Sequence, residues 1–156
     1  MGLPEIFISF QTAAVSAITR SARGVLAVAV KDATAGGAAE AAYKSLAEVP
    51  EDKFSPENYR LLKLAFLAAP TKVWVLRVGE EAEKTYQALE RLRFDWLAAP
   101  GLEDARVMSF IKTLRNGGRG VKAVVANATA PDCEGIVNLC VSGLTLEDGA
   151  MEAKDY

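Results

Sequence analysis

The feature that most constrains the fold is the apolar run Val25–Val30, VLAVAV, which contains no polar residue. A strand with one face in water alternates apolar and polar residues, whereas a strand in a helix-covered parallel sheet is apolar on both faces. Lys31 and Asp32 end the run. The run therefore predicts a central strand of a parallel sheet, with Val28 buried.

Strand-like and helix-like segments alternate after this run. Ser55, Pro56 and Glu57 open a helix, because they supply an N-cap, a first-turn residue and a charge that complements the helix dipole. Amphipathic helices are predicted over Glu80–Arg93 and Glu103–Arg115. The remaining predicted elements are strands at Lys72–Val78, Phe94–Ala99, Val121–Ala126 and Gly135–Val141, and a hairpin around Asp148-Gly149. This alternation is typical of an α/β fold with a mostly parallel, helix-covered sheet and right-handed crossovers.

Two regions lack that clear pattern. Ala33–Glu48 is rich in alanine and glycine and is predicted to be a loop with a short helical turn. Thr12–Thr19 fits both a helical face and a strand alternation, and the residues alone leave both open. A chain of 156 residues has the length of a single domain and is large enough to bury a hydrophobic core. We therefore divide it into residues 1–23 and a core domain over residues 24–156.

Residues 1–23 are predicted to form an extended arm. Ile6, Ile8 and Phe10 alternate with Phe7 and Ser9, and a proline precedes them, as is usual at strand starts and edges. An apolar strand at this place needs a partner sheet, and we expect strand addition to another molecule. A basic joint with a flexible glycine follows the arm. The residues predicted to act between subunits are Leu3, Ile6, Phe7, Ile8, Phe10, Arg20, Arg23 and Gly24.

Composition excludes several classes of function. The chain has no histidine, so Ser-His-Asp and Cys-His catalysis and histidine-containing zinc sites cannot occur within it. The net charge of −2 gives no indication of the excess positive charge that nucleic-acid-binding proteins carry. No apolar run approaches the ~20 residues that span a bilayer, so no membrane insertion is expected. Cys133 and Cys140 are seven residues apart, fit no metal pattern, and are expected to be reduced and buried.

Three groups of residues suggest chemistry but have simpler interpretations. The glycines of Asn116–Gly120 follow a helix and open a strand, the reverse of a phosphate-binding loop, so they favour a helix end. Asp32 and Asp132 follow strands at the same sheet edge, where they would bind a hard cation or serve as ordinary loop carboxylates. Trp74 and Trp96 lie inside strand-like runs, which favours core packing. No catalytic, cofactor or metal residue is predicted.

Five blocks in register resemble contractile-tail sheath proteins of phages and phage-tail-like bacteriocins from Gram-positive bacteria. The first block is GLPEIFISF followed by RSARGVLAVAVKD. The others are FSPENYRLLKLAFLAAPTKVWVLRV, FDWLAAPG, FIKTLRNGGRGVKAVVANATAPDCEGIVNL and the closing LEDG…Y. Sheath proteins of this type are roughly twice as long, so the resemblance implies an N-terminal portion, truncated at its C-terminal end. It also implies a core that is subtilisin-like in fold only.

The resemblance implies a structural protein rather than an enzyme. Sheath subunits form rings around an inner tail tube, exchange terminal arms with neighbouring subunits, and contract to drive the tube through a cell envelope. The implied partners are other sheath subunits and the tube protein, with no cofactor. The implied location is a virion tail or tail-like particle, assembled in the bacterial cytoplasm as part of a contractile injection system. The alternative is a small flavodoxin-like α/β nucleotide-binding module or enzyme, which shares the strand–helix pattern.

Overall fold

Strands and helices alternate along the chain as the apolar pattern predicts. The computed structural model describes residues 24–126 and 131–140, together with the backbone of residues 145–146 and 149–150. The α-helices in this part are α1 Pro56–Leu67, α2 Ala82–Arg91 and α3 Asp104–Asn116, and short 3-10 helices lie at Leu46–Glu48 and Glu51–Lys53. The strands of the main sheet are β1 Val25–Val30, β2 Glu40–Tyr43, β3 Lys72–Arg77, β4 Trp96–Ala98, β5 Lys122–Val125 and β6 Ile136–Asn138. None of the described helices is long and apolar enough to cross a bilayer.

The strand β1 lies in the interior of the sheet. Within the described residues the strand order is β2-β3-β1-β4-β5-β6, and only β2 runs antiparallel to its neighbour. β1 pairs with β3 along its whole length, from Val25 opposite Lys72 to Val30 opposite Arg77, and with β4 on its other side. Val28 is 3% exposed. The prediction of a buried central strand in a mostly parallel sheet is confirmed.

The prediction of a loop over Ala33–Glu48 was wrong at its centre, because β2 lies there. β2 pairs antiparallel with β3, with Ala41 opposite Val75 and Tyr43 opposite Val73. Alanine and glutamate disfavour strands intrinsically, so the free edge of β3, rather than local preference, makes this segment extended. The expected short helical turn follows as a 3-10 turn at Leu46–Glu48.

The two faces of the sheet carry different layers. On one face, Ala27 and Ala29 of β1 pack in a cluster with α2 and α3, whose buried residues include Leu89 and Ile111. On the other face, Val28 of β1 packs in a separate cluster with α1. The small side chains of the alternate β1 positions allow the helices to approach the sheet closely on the first face.

The helix boundaries follow from local chemistry. The Ser55 hydroxyl accepts a hydrogen bond from the Asn58 N–H at 3.3 Å, and Pro56 begins α1, as predicted. α3 ends at Asn116, and Gly118 adopts a φ of +84° before β5, which confirms that these glycines follow a helix and precede a strand. The amphipathic faces predicted for α2 and α3 are also confirmed, since their apolar rows lie in the core.

Other predictions need smaller adjustments. A two-stranded antiparallel pair, β7 Thr145–Leu146 and β8 Gly149–Ala150, supports the predicted hairpin, with Leu146 opposite Gly149. Trp74 and Trp96 lie in strands but are half-buried rather than fully buried. A lysine ammonium covers each ring, Lys72 at 4.4 Å and Lys122 at 5.1 Å from the ring centre. The prediction of two buried cysteines was wrong, because Cys133 is half-buried and Cys140 is exposed.

Candidate assembly surface

The residues predicted to act between subunits lie almost wholly in the first 23 residues. Leu3, Ile6, Phe7, Ile8, Phe10, Arg20 and Arg23 all lie outside the described residues. Gly24 is described, and it is the point at which that segment joins the core. The described residues closest in sequence to the predicted arm are therefore those around Gly24, at the amino-end edge of the sheet.

Gly24 is held from both sides in a conformation that favours glycine. Its φ is +83°, in the left-handed region. Its carbonyl accepts a hydrogen bond from the Thr71 N–H at 2.9 Å, which ties it to the start of β3. A Cβ built on Gly24 would lie 2.8 Å from Oδ2 of Asp95, closer than real Cβ contacts. A glycine at this point therefore meets a steric requirement, in addition to any flexibility it supplies.

Asp95 contacts the same junction through its backbone and its side chain. Its N–H donates to the Val25 carbonyl at 2.8 Å, and its Oδ2 accepts from the Val25 N–H at 2.6 Å. Its own carbonyl accepts from the Lys122 N–H at 2.9 Å, which anchors it to β5. Sequence analysis did not single out Asp95. An aspartate just before a short strand carries no local signal of a contact seventy residues away.

A basic crevice of about 550 Å³ lies beside this junction. Arg119 closes one side by donating to the carbonyls of Glu90 at 2.9 Å and Leu92 at 2.6 Å, where it offsets the negative end of α2. Arg91 and Arg93 are exposed and form no ion pair with other described residues. The amino-end edge therefore offers two available cations close to the junction.

The opposite, carboxyl-end edge of the sheet is organised around Asp32. Its Oδ1 accepts from the Thr34 N–H at 2.9 Å, and its Oδ2 accepts from the Ser55 N–H at 2.9 Å and the Asn58 side-chain amide at 2.7 Å. A guanidinium nitrogen of Arg77 lies 3.6 Å from Oδ1, and the Asp32 side chain has no exposed area. This carboxylate joins the end of β1 to the start of α1.

The surroundings of Asp32 change its pKa. Burial raises the pKa, but the hydrogen bonds from Asn58, Ser55 and Thr34 favour the charged form and together hold it well below its ordinary value of 3.8. Arg77 adds hydrogen bonds to the Thr34 carbonyl, at 2.8 Å, and to the Lys53 carbonyl. Asp32 is therefore an ionised structural group under ordinary conditions.

The structure does not support the cation site suggested for Asp32 and Asp132. The oxygens of Asp32 are already occupied by N–H donors, whereas Asp132 is exposed in the loop before β6. Within residues 24–126 and 131–140, no three acidic or cysteine side chains come together in a way that would hold a metal ion. A cation at this edge would have to displace the contacts that join β1 to α1.

A crevice of about 710 Å³ lies at the carboxyl-end edge between β1 and its two neighbours, where open α/β sheets usually bind ligands. Glu80 and Glu103 line it and stand just before the first turns of α2 and α3. Arg106, which also lines it, is paired with Glu83 at 2.9 Å. Lys31 also lines the crevice, but the carboxylates at both helix N-termini make these helix ends unsuited to the phosphate groups of a nucleotide.

An apolar depression of about 550 Å³ lies beside α1, over the part of the sheet that α1 does not cover. Leu26, Leu64, Ala98 and Val124 line it, and Leu139 at its rim is 38% exposed. No described helix lies over this part of the face. The strand pattern in the sequence indicates that the sheet positions here are apolar. It does not indicate that the described helices leave them uncovered.

The sequence of this chain is similar to that of a known protein. No family model matches the chain. The chain is 31% identical over 154 residues to a tail sheath protein of Clostridium phage phiCD119, and the match covers 88% of this chain and 41% of the relative. The chain therefore spans about two fifths of that relative's length. Over most of its own length, this chain is similar to part of a phage tail sheath protein.

Proposed function

We propose that this chain is part of a structural subunit of a contractile tail sheath, which polymerises around an inner tail tube and contracts to drive the tube through a cell envelope. The observation that carries the proposal is the 31% identity to a tail sheath protein across 88% of the chain. The proposed partners are other sheath subunits and the tube protein. The proposed place of action is a virion tail or tail-like particle that is assembled in the bacterial cytoplasm.

The core supports this proposal as a body that moves without unfolding. A contracting lattice changes the contacts between subunits while each subunit keeps its shape. Helices pack on both faces of the sheet, and the clusters on the two faces contain the largest fully buried side chains, including Leu62, Leu89 and Ile111. Repacking such a core costs free energy. A change in the lattice would therefore alter contacts at the surface of the subunit and leave its core unchanged.

The proposed connection between subunits is the arm of residues 1–23. The alternating Ile6, Ile8 and Phe10 suit a strand added to the sheet of a neighbouring subunit. Main-chain hydrogen bonds supply most of the contact in strand addition, so the connection tolerates rotation of the core. The exposed Arg91 and Arg93 lie at the edge where this arm joins the core.

The experiment that tests the proposal is assembly of the complete sheath subunit to which this chain is proposed to belong. Purified protein is examined by negative-stain electron microscopy, with and without Ile8→Pro. Proline removes one ladder N–H, so we expect tubes from the parent protein and none from the variant, with equal circular dichroism of the core. Ile8→Val, which keeps the N–H and the strand preference, is the matched control. Normal tubes from the proline variant would contradict strand addition by the arm.

A second measurement separates the proposal from the nucleotide-binding alternative. Melting of the 156-residue chain is compared with and without ATP, GTP and FMN. Because the carboxyl-end crevice is bordered by acidic helix starts, we expect no change in melting temperature. Concentration-dependent stabilisation by one of these ligands, together with a lack of tubes, would favour a binding module over a sheath subunit.

A further inference from the structure

We infer that Asp95 is a positioning residue that fixes the backbone at Gly24, the residue at which residues 1–23 join the core. The inference deepens the proposed function and rests on it for its biological meaning, since an arm reaches a neighbour only if it leaves at a suitable angle. The geometric part concerns Gly24, Val25 and Asp95 alone. It can therefore be tested without any assembly.

The first step of the argument is the double contact between Asp95 and Val25. In a parallel sheet, a residue does not exchange both of its backbone hydrogen bonds with one partner. Asp95 nevertheless contacts both backbone groups of Val25, because its N–H donates to the carbonyl and its Oδ2 accepts from the N–H. The first residue of β1 is thus held at two points by one residue.

The second step is that Asp95 is itself fixed. Trp96, the next residue, pairs with Leu26 in the β1–β4 ladder, so the backbone of Asp95 continues the register of β4. The Asp95 carbonyl accepts from Lys122 at the start of β5. The carboxylate therefore extends from a backbone that is held on both sides, and its position relative to β1 is determined by the sheet.

The third step is the conformation of Gly24. The Thr71 N–H donates to its carbonyl from the β3 side, and Oδ2 of Asp95 lies only 2.8 Å from the position that a Cβ would take. With φ at +83° and contacts on both sides, the backbone of Gly24 is held in one conformation.

The fourth step is that this arrangement contributes little to the core. Asp95 is exposed, and its carboxylate accepts one hydrogen bond, whereas the carboxylate of Asp32, which has no exposed area, accepts three. Removal of the carboxylate would leave the sheet ladder in place. The side chain of Asp95 is therefore better explained by the geometry of the junction than by stability.

The test measures the exit direction in the 156-residue chain. Cys133 and Cys140 are changed to serine, and spin labels are attached at Ser21→Cys, beside the junction, and at the exposed Lys112→Cys on α3. Pulsed electron paramagnetic resonance then gives the distribution of distances between the labels. We expect Asp95→Ala to broaden this distribution by about twofold or more, because a released backbone samples more conformations. Asp95→Asn retains an oxygen acceptor for the Val25 N–H and should restore the narrow distribution.

A second variant tests the steric part of the inference. Gly24→Ala forces the new Cβ against Oδ2 of Asp95, so the mean distance should shift by several ångströms, while Gly24→Ala combined with Asp95→Ala should move back toward the parent value. Equal distributions for the parent chain and Asp95→Ala would overturn the inference, as would broadening in Asp95→Asn equal to that in Asp95→Ala. Absence of tubes from the longer parent protein would instead count against the proposed function and would leave this result unaffected.

Discussion

The two ends of β1 use aspartates in opposite ways. At the carboxyl end, the side chain of Asp32 has no exposed area and accepts hydrogen bonds from Thr34, Ser55 and Asn58. At the amino end, Asp95 is exposed and its carboxylate accepts one hydrogen bond, from Val25. Residues of the same type thus stabilise the core at one end and shape the junction with the preceding segment at the other.

The physical reason for the difference is solvent. A carboxylate shielded from water interacts strongly with its donors, and its removal leaves those donors unsatisfied. When an exposed carboxylate is removed, water replaces its one hydrogen bond. Its loss therefore changes the local backbone geometry more than the free energy of unfolding. Substitutions in β1 and at its two ends should therefore lower the free energy of unfolding by different amounts, from loss of the fold to almost no change.

The largest effect is expected between the two ends, at Val28. Val28→Asp places an unpaired charge between two buried layers, which costs several kcal/mol, an amount comparable with the ~5–15 kcal/mol stability of a whole domain. We expect the variant to be unfolded by circular dichroism at 25 °C. Val28→Ile, which keeps the apolar character, serves as the control and should fold. Melting of the aspartate variant near the parent value would show that β1 is not interior.

The next largest effect is expected at the carboxyl end. Asp32→Ala leaves the Thr34 and Ser55 N–H groups without their acceptor and the shielded Arg77 without its opposite charge, so the free energy of unfolding should fall by about 3–5 kcal/mol. Urea denaturation measures the loss. Asp32→Asn keeps one acceptor oxygen and should lose less. If Asp32→Ala and an alanine at Asp95 cost the same, the contrast between the two ends would be wrong.

Acid should act through the same residue. Because the pKa of Asp32 in the folded protein lies below its ordinary value of 3.8, its stabilising contribution is complete above about pH 4 and is lost as the pH falls further. The free energy of unfolding should therefore decrease below pH 4 in the parent chain. In Asp32→Asn this decrease should be smaller. If the free energy of unfolding fell equally below pH 4 in the two proteins, the role of Asp32 would be contradicted.

A smaller effect is expected at Gly24. Alanine there must adopt a left-handed conformation, which costs about 1–2 kcal/mol, and its Cβ must displace the Asp95 carboxylate. Urea denaturation should show that loss. Gly118→Ala is a matched control, since Gly118 also has a positive φ but its Cβ would meet nothing within 4 Å. A greater loss at Gly24 than at Gly118 isolates the steric contribution of Asp95.

The smallest effect on stability is expected for Asp95→Ala. The loss of one exposed hydrogen bond should lower the free energy of unfolding by about 1 kcal/mol or less. Hydrogen exchange followed by NMR should nevertheless show faster exchange at Val25 and at Thr71, whose acceptor is the Gly24 carbonyl. The amide of Asp95 bonds backbone to backbone with Val25 and should change least. Unchanged exchange at Thr71 would mean that the two contacts at the junction are independent.

Local pattern was enough to predict much of this fold. An unbroken apolar run predicted the interior strand β1, and Ser55 with Pro56 predicted the start of α1, because both signals lie within a few residues of the elements they specify. The strand β2 was missed for the opposite reason. Its alanines have little strand preference, and β3, some thirty residues later, supplies the hydrogen bonds that extend it.

The candidate site divides in the same way. The sequence alone established a chain without histidine, an α/β alternation and an apolar alternating segment before Gly24, because composition and periodicity are local properties. Only the tertiary structure brought Asp95 against Val25 and Asp32 against Asn58, contacts that span 70 and 26 residues. Those contacts depend on which strands and helices become neighbours. Neighbours are selected by packing the whole chain, and no short stretch of sequence records that choice.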